Sequence, residues 1–132
     1  MTPEFLTLDQ VLVIHENQIK LYGGESGLRD MGLLQSALAM PSSGYGEEYF
    51  HKDLYEMAAA YLFHFVKNHP FVDGNKRVGL VAAYVFLRLN GIVLTADNEA
   101  AEKITLETAQ GKTEKPALAA FFKKHSRKSR KR

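Results

Sequence analysis

At 132 residues, 45% of them apolar, the chain is sized for one domain with a real hydrophobic core. It has no cysteine, which excludes disulfides and thiolate metal sites, and its formal net charge is only +2. No apolar run approaches the roughly 18 residues of a membrane span, and Met1-Thr2-Pro3-Glu4 lacks the basic segment and apolar stretch of a secretion signal, so a cytoplasmic protein is expected.

Thr7-Leu8-Asp9-Gln10 is a capping box, with Thr7 at the N-cap and Gln10 at the third helical position. Leu6 and Val11 are spaced as a hydrophobic staple, and Leu8, Val11, Leu12, His15, Ile19 and Tyr22 follow helical spacing until Gly23-Gly24. Asp30 is the next N-cap, for a short helix carrying Leu33, Leu34, Ala37 and Leu38 that Pro41 stops. From Pro41 to Lys52 the chain reads as irregular, with three aromatics, Tyr45, Tyr49 and Phe50, expected to be exposed. Long loops of this kind are often functional.

Asp53 opens a third helix with a wide apolar face, and the run Ala58-Ala59-Ala60 would let another helix approach closely. It must stop near Asn68, because Pro70 disfavours helical geometry in the residue before it. The fourth helix runs from about Gly74 to Asn90. Its apolar residues, Val78, Val81, Ala82, Val85, Phe86 and Leu89, lie on most sides, which predicts that it is the most buried helix, at the centre of the fold. Ile92-Val93-Leu94-Thr95 reads as a short extended piece, Asp97 caps a fifth helix that Gly111 ends, and Pro116 suits the first turn of a sixth. Six helices with at most one short strand pair make an all-α domain.

Seven basic residues crowd the end: Lys123, Lys124, Arg127, Lys128, Arg130, Lys131 and Arg132. Without them the chain carries ten basic against fifteen acidic residues, so the body is acidic and the tail basic. Such a tail is expected to be solvated and disordered over 126–132, leaving a domain over 1–125. Direct nucleic-acid binding by it is not expected, since no aromatic residue interleaves the charges.

The chemistry concentrates in His69-Pro70-Phe71-Val72-Asp73-Gly74-Asn75-Lys76-Arg77, at the start of the fourth helix. A helix start offers free N–H groups and the positive end of the dipole, and so binds phosphate. His69 is a candidate general base, histidine being the residue type suited to that role near neutral pH, or else caps the preceding helix. Asp73 is a candidate magnesium ligand, or else an N-cap. Gly74 lets the backbone approach a ligand, and the Asn75 amide can donate to a phosphate oxygen. Lys76 and Arg77 oppose the helix dipole unless an anion occupies the site. No GxxxxGK[ST] and no GxGxxG ahead of a helix is present, so the common nucleotide-binding loops are excluded.

This segment resembles the Fic superfamily signature, HPFx[DE]GNGRxxR, at His69, Pro70, Phe71, Asp73, Gly74, Asn75 and Arg77. Lys76 stands in place of its glycine and Leu80 in place of its second arginine. Both departures resemble the Doc (death-on-curing) branch, the toxins of Phd–Doc toxin–antitoxin modules, whose motif runs HxFx[DN][AG]NKR. The stretch His15 to Asp30 and the block Leu54 to Leu94 are similar to Doc as well. The resemblance implies a compact Fic-type helical bundle and a protein kinase that moves the γ-phosphoryl group of ATP to a threonine of elongation factor Tu, arresting translation.

By position it makes His69 the base, Asp73 the magnesium ligand, Gly74 and Asn75 with the helix amides an anion hole, and Lys76 and Arg77 the neutralising cations. Residues 41–52 would be a flap that docks the target by strand addition, with Tyr45, Tyr49 and Phe50 at the contact. The inhibitory pattern [ST]xxxE[GN] of many Fic proteins is absent, with Ser43 to Glu48 the nearest approach, so inhibition is expected in trans from a Phd-like antitoxin. The alternatives are a Fic-type adenylyltransferase and a non-catalytic, antitoxin-binding co-repressor.

Overall fold

The computed structural model describes residues 2–129. Among them are six α-helices: α1 (Leu8–Tyr22), α2 (Met31–Ala39), α3 (Leu54–Asn68), α4 (Asn75–Leu89), α5 (Asn98–Ala109) and α6 (Lys115–Lys124). The expected caps are in place. Thr7 and Gln10 exchange side-chain bonds across the start of α1. The carboxylates of Asp30, Asp53 and Asp97 accept from the N–H groups of Leu33, Glu56 and Ala100. Glu56 departs slightly from a capping box, reaching back to the Lys52 N–H instead of that of the N-cap.

The bundle centres on α3, which packs against α2, α4, α5 and α6. The expectation that α4 would be the most buried helix is corrected, since eight residues of α3 are buried against seven of α4. The reason is the alanine run: Ala58, Ala59 and Ala60 are fully buried and let neighbours close on α3 from several sides. Gly79 on α4 serves the same approach, where an added Cβ would lie 3.2 Å from the Leu62 carbonyl. The N-terminal segment straps across the pair. Its Leu6 N–H donates to the buried Tyr61 hydroxyl, and Glu4 exchanges two backbone bonds with the Asn90 amide.

Two small sheets, not one at most, complete the fold. After α2 a 3-10 turn (Met40–Ser42) leads into a hairpin of β1 (Gly44–Tyr45) and β2 (Glu48–Tyr49). The stretch read as irregular is therefore folded. The second sheet pairs β3 (Ile92–Leu94) antiparallel with β4 (Ser126–Lys128). This corrects the expectation of a disordered tail at residues 126–128. The strand is further tied by the Thr95 N–H and hydroxyl, both donating to the His125 carbonyl, and by the Ser129 N–H donating to Gly91. Arg130, Lys131 and Arg132 lie outside the described residues. No helix among the described residues is long and apolar enough to cross a membrane.

Candidate active site

Four pieces of chain meet at the signature segment: the end of α1, the loop from Gly23 to Arg29, the end of α3 and the start of α4. The loop runs antiparallel to residues 70–73. Arg29 and Asp30 donate backbone N–H groups to the Pro70 carbonyl at 2.8 and 3.0 Å, Val72 donates to Gly27, and Leu28 bridges Phe71. Phe71 is buried and anchors the segment in the core.

His69 is the C-cap of α3. Its backbone is left-handed, φ 54 and ψ 53, and it is the one non-glycine residue with positive φ among the described residues. Its side chain is open to solvent, and nothing among the described residues bonds its ring. Arg29 holds its backbone, with Nε donating to the His69 carbonyl at 2.6 Å and Nη2 to that of Asn68 at 2.9 Å.

Asp73 is exposed and does not cap α4; Gly74 is the N-cap, at φ 81, with no side-chain cap. The Asp73 carboxylate instead accepts the N–H of Glu25 at 3.2 Å and that of Gly74 at 2.8 Å. Those two bonds, helped by the charges of Arg77 and Lys76, hold its carboxyl below the usual carboxylate range. It therefore stays ionised throughout the neutral range. Each carboxylate oxygen accepts one bond and keeps capacity for another. No cluster of three histidine or acidic side chains suited to a metal occurs among the described residues. A single exposed, ionised carboxylate beside an uncapped helix start fits magnesium, which takes one or two carboxylates and completes its shell with water and phosphate. Gly24 keeps the approach open, for an added Cβ there would lie 2.8 Å from Asp73 Oδ2.

Asn75 departs from its expected role. The residue is 3% exposed, and its amide is turned onto Phe71, Oδ1 accepting the Phe71 N–H and Nδ2 donating to the Phe71 carbonyl, both at 2.9 Å. The side chain closes the turn; what Asn75 offers to an anion is its backbone N–H. Arg77 is also committed. Its guanidinium donates to the carbonyls of Gln18 at 3.2 Å and Gly23 at 3.0 Å, and lies against the Tyr22 ring. It thus caps α1, and a cation at that helix end is favourable. Lys76 is exposed at the second position of α4, while Leu80 packs against the core. Of the three aromatics expected to be exposed, Tyr45 and Phe50 are, while Tyr49 is corrected to half-buried, its ring packed edge-on to Phe5.

Two further side chains outside the nine-residue segment, those of His15 and Arg29, bond its backbone. His15 is buried, stacks on Phe71 at 3.9 Å and bonds the Asp73 carbonyl through Nε2 at 2.9 Å. Its apolar helical spacing identified only its face. Arg29 was legible in principle: a cation immediately before the Asp30 N-cap opposes the α2 dipole, and so needs another partner.

The fold and this turn define a class: a helical bundle that presents a histidine, an ionised carboxylate and an uncapped helix start on one loop. The Fic/DOC family model matches residues 5–87. Toxin Doc of Mycolicibacterium smegmatis is 40% identical over 102 residues, covering 75% of this chain and 78% of that protein. Protein kinase doc of Escherichia phage P1 is 31% identical over 111 residues, covering 84% of this chain and 86% of that protein. The chain belongs to the Fic/Doc family.

Proposed function

We propose that the chain is a Doc-type toxin, a protein kinase that transfers the γ-phosphoryl group of ATP to a hydroxyl side chain of a translation factor. The observation that carries this reading is the signature segment itself, with Lys76 where glycine would leave room for phosphates and Leu80 where an arginine would bind them. Leu80 is apolar and packs against the core, and position 80 contributes no cation to a second phosphate pose. The relatives named toxin and protein kinase support the same reading.

In this reading His69 takes the proton of the target hydroxyl as its oxygen bonds the γ-phosphorus. The bond from that phosphorus to the bridging oxygen breaks, and ADP leaves. The backbone N–H groups of Asn75, Lys76 and Arg77 hold phosphate oxygens, that of Gly74 being taken by the Asp73 carboxylate, and the Lys76 ammonium neutralises the moving charge. Arg77 contributes charge without a bidentate grip, because its fork is already spent on α1. Asp73 would hold magnesium, which when bound offsets charge on the nucleotide phosphates. Such a transfer is catalysed mostly by positioning and electrostatics. The β1–β2 hairpin, with Tyr45 and Phe50 exposed, is the proposed docking flap.

Elongation factor Tu is the proposed target, the cytoplasm the proposed location and a Phd-like antitoxin the proposed inhibitor. The segment nearest to an inhibitory motif, Ser43 to Glu48, lies in the hairpin and not on a helix, which favours inhibition in trans. Incubation with elongation factor Tu, ATP and magnesium, followed by intact mass, tests the reading. A gain of phosphate supports it, a gain of AMP makes the chain an adenylyltransferase, and no gain favours a non-catalytic co-repressor.

A further inference from the structure

We propose that Arg29 is a positioning residue for His69, holding the base in its left-handed backbone conformation from outside the signature segment. The inference rests on the reading of His69 as the catalytic base. Three consecutive carbonyls at the end of α3, those of Asn68, His69 and Pro70, are all bound by Arg29 and Asp30. The Arg29 side chain takes the first two and the backbone N–H groups of Arg29 and Asp30 take the third. A helix end leaves such carbonyls without intrahelical partners, and glycine is the residue that usually turns the chain there.

Histidine at φ 54 is disfavoured on its own, because its Cβ crowds the neighbouring backbone. A residue held in that region persists only when its surroundings over-determine it. The planar guanidinium reaches two adjacent carbonyls from a fixed fork, which a lysine ammonium does not reproduce. Its charge also sits at the negative end of the α3 dipole. The imidazole itself has no hydrogen-bond partner among the described residues, so its aim is set through the backbone that carries it. Arg29 therefore acts on the reaction through His69, its Nε and Nη2 being committed to the carbonyls of His69 and Asn68.

The test compares the full chain with Arg29→Ala and Arg29→Lys, using elongation factor Tu and γ-labelled ATP. Arg29→Ala is expected to lower kcat by about 10²-fold, the scale of a misplaced reacting group, while KM for ATP changes by less than about twofold. Methylguanidinium added to Arg29→Ala should restore part of the rate, and Arg29→Lys should fall between. A second readout does not use activity: the carbon–proton NMR signals of the His69 ring, assigned by their loss in His69→Gly, should shift and broaden in the Arg29 variants. Unchanged His69 signals, or a kcat within about twofold of the parent, would overturn the proposal. If the parent chain transferred no phosphate but Arg29→Ala still displaced the His69 signals, positioning would stand and the kinase reading would fall. If Arg29→Ala did not fold, Arg29→Lys, which keeps the charge but replaces the planar fork by a single donor nitrogen, takes its place: displaced His69 signals with a lowered kcat support positioning, and unchanged signals or an unchanged kcat overturn it.

Discussion

At the residue scale the signature segment divides its polar side chains between the outside and itself. A tight turn must satisfy its own backbone groups, and the nearest side chains able to do so are the segment's own. Asn75 is used in that way, and Asn75→Ala should remove two buried bonds and leave both backbone groups of Phe71 unpaired. The expected loss is about 1–3 kcal/mol of stability, read from urea denaturation of the purified chain; a variant as stable as the parent would mean the turn is held elsewhere.

His69 is the opposite case. It occupies a left-handed C-cap where glycine is the favoured residue. His69→Gly should therefore be as stable as the parent or more so, by up to about 1 kcal/mol, while phosphoryl transfer falls by about 10²–10⁴-fold. A clear loss of stability in that variant would show that the imidazole serves packing.

At the element scale the caps and breakers were readable, because each depends on a few adjacent residues. Thr7, Asp30, Asp53 and Asp97 mark the helix starts in the sequence and cap them in the structure. What could not be read was which helix would be the hub. Apolar character measures what a helix can bury, whereas burial depends on how many neighbours reach it. Small residues decide that, and α3 gains its place from three alanines. Residues 126–128 were unreadable for a related reason: Ser126-Arg127-Lys128 has no strand pattern of its own, and it is ordered by pairing with β3, more than thirty residues earlier in the chain.

In the nine-residue segment the residue types suggested phosphate chemistry, but their directions did not follow. The commitments of Asn75 and Arg77 depend on Phe71 and on the end of α1, partners that only the tertiary fold supplies. The α3–α4 contact gives the prediction at this scale. At Gly79 a Cβ would press on the Leu62 carbonyl at 3.2 Å and on Phe65 and Val66 at 3.4 Å. The backbone carbonyl cannot swing aside as a side chain can. Gly79→Val should thus cost about 1–3 kcal/mol through overpacking, visible as a lower urea midpoint with an unchanged slope, and an unchanged midpoint would mean that the two helices are free to separate.

Across the whole molecule, the hairpin, α3 and the start of α6 are joined by one group of titratable side chains. The Lys115 ammonium lies 3.3 Å from His51 Nε2 and 3.1 Å from His64 Nε2, and also stands over the Phe63 ring. Both imidazoles must be neutral to accept from it. Burial, then the charge of Lys115, then that of His51 lower the His64 pKa to about 4. Burial and Lys115 lower that of His51, opposed by Glu56 and by the carbonyls of Pro41 and Met40. Each folded-state pKa thus lies below the ordinary histidine value of 6.5, so between the two the unfolded chain binds more protons.

The stability these neutral imidazoles contribute is fully present above pH 6.5 and is lost as the pH falls toward about 4. His64 is only half-buried, so solvent screening reduces the effect to about 1–2 kcal/mol. Urea midpoints measured from pH 7.5 down to 4.5 should therefore decline in the parent chain. They should decline less in His64→Gln, which keeps a polar acceptor near Lys115 but cannot titrate. Equal slopes in the two proteins would mean that acid acts elsewhere, for example through the carboxylate caps of the helices, and that the Lys115 cluster joins the hairpin to the bundle without making that joint sensitive to protons.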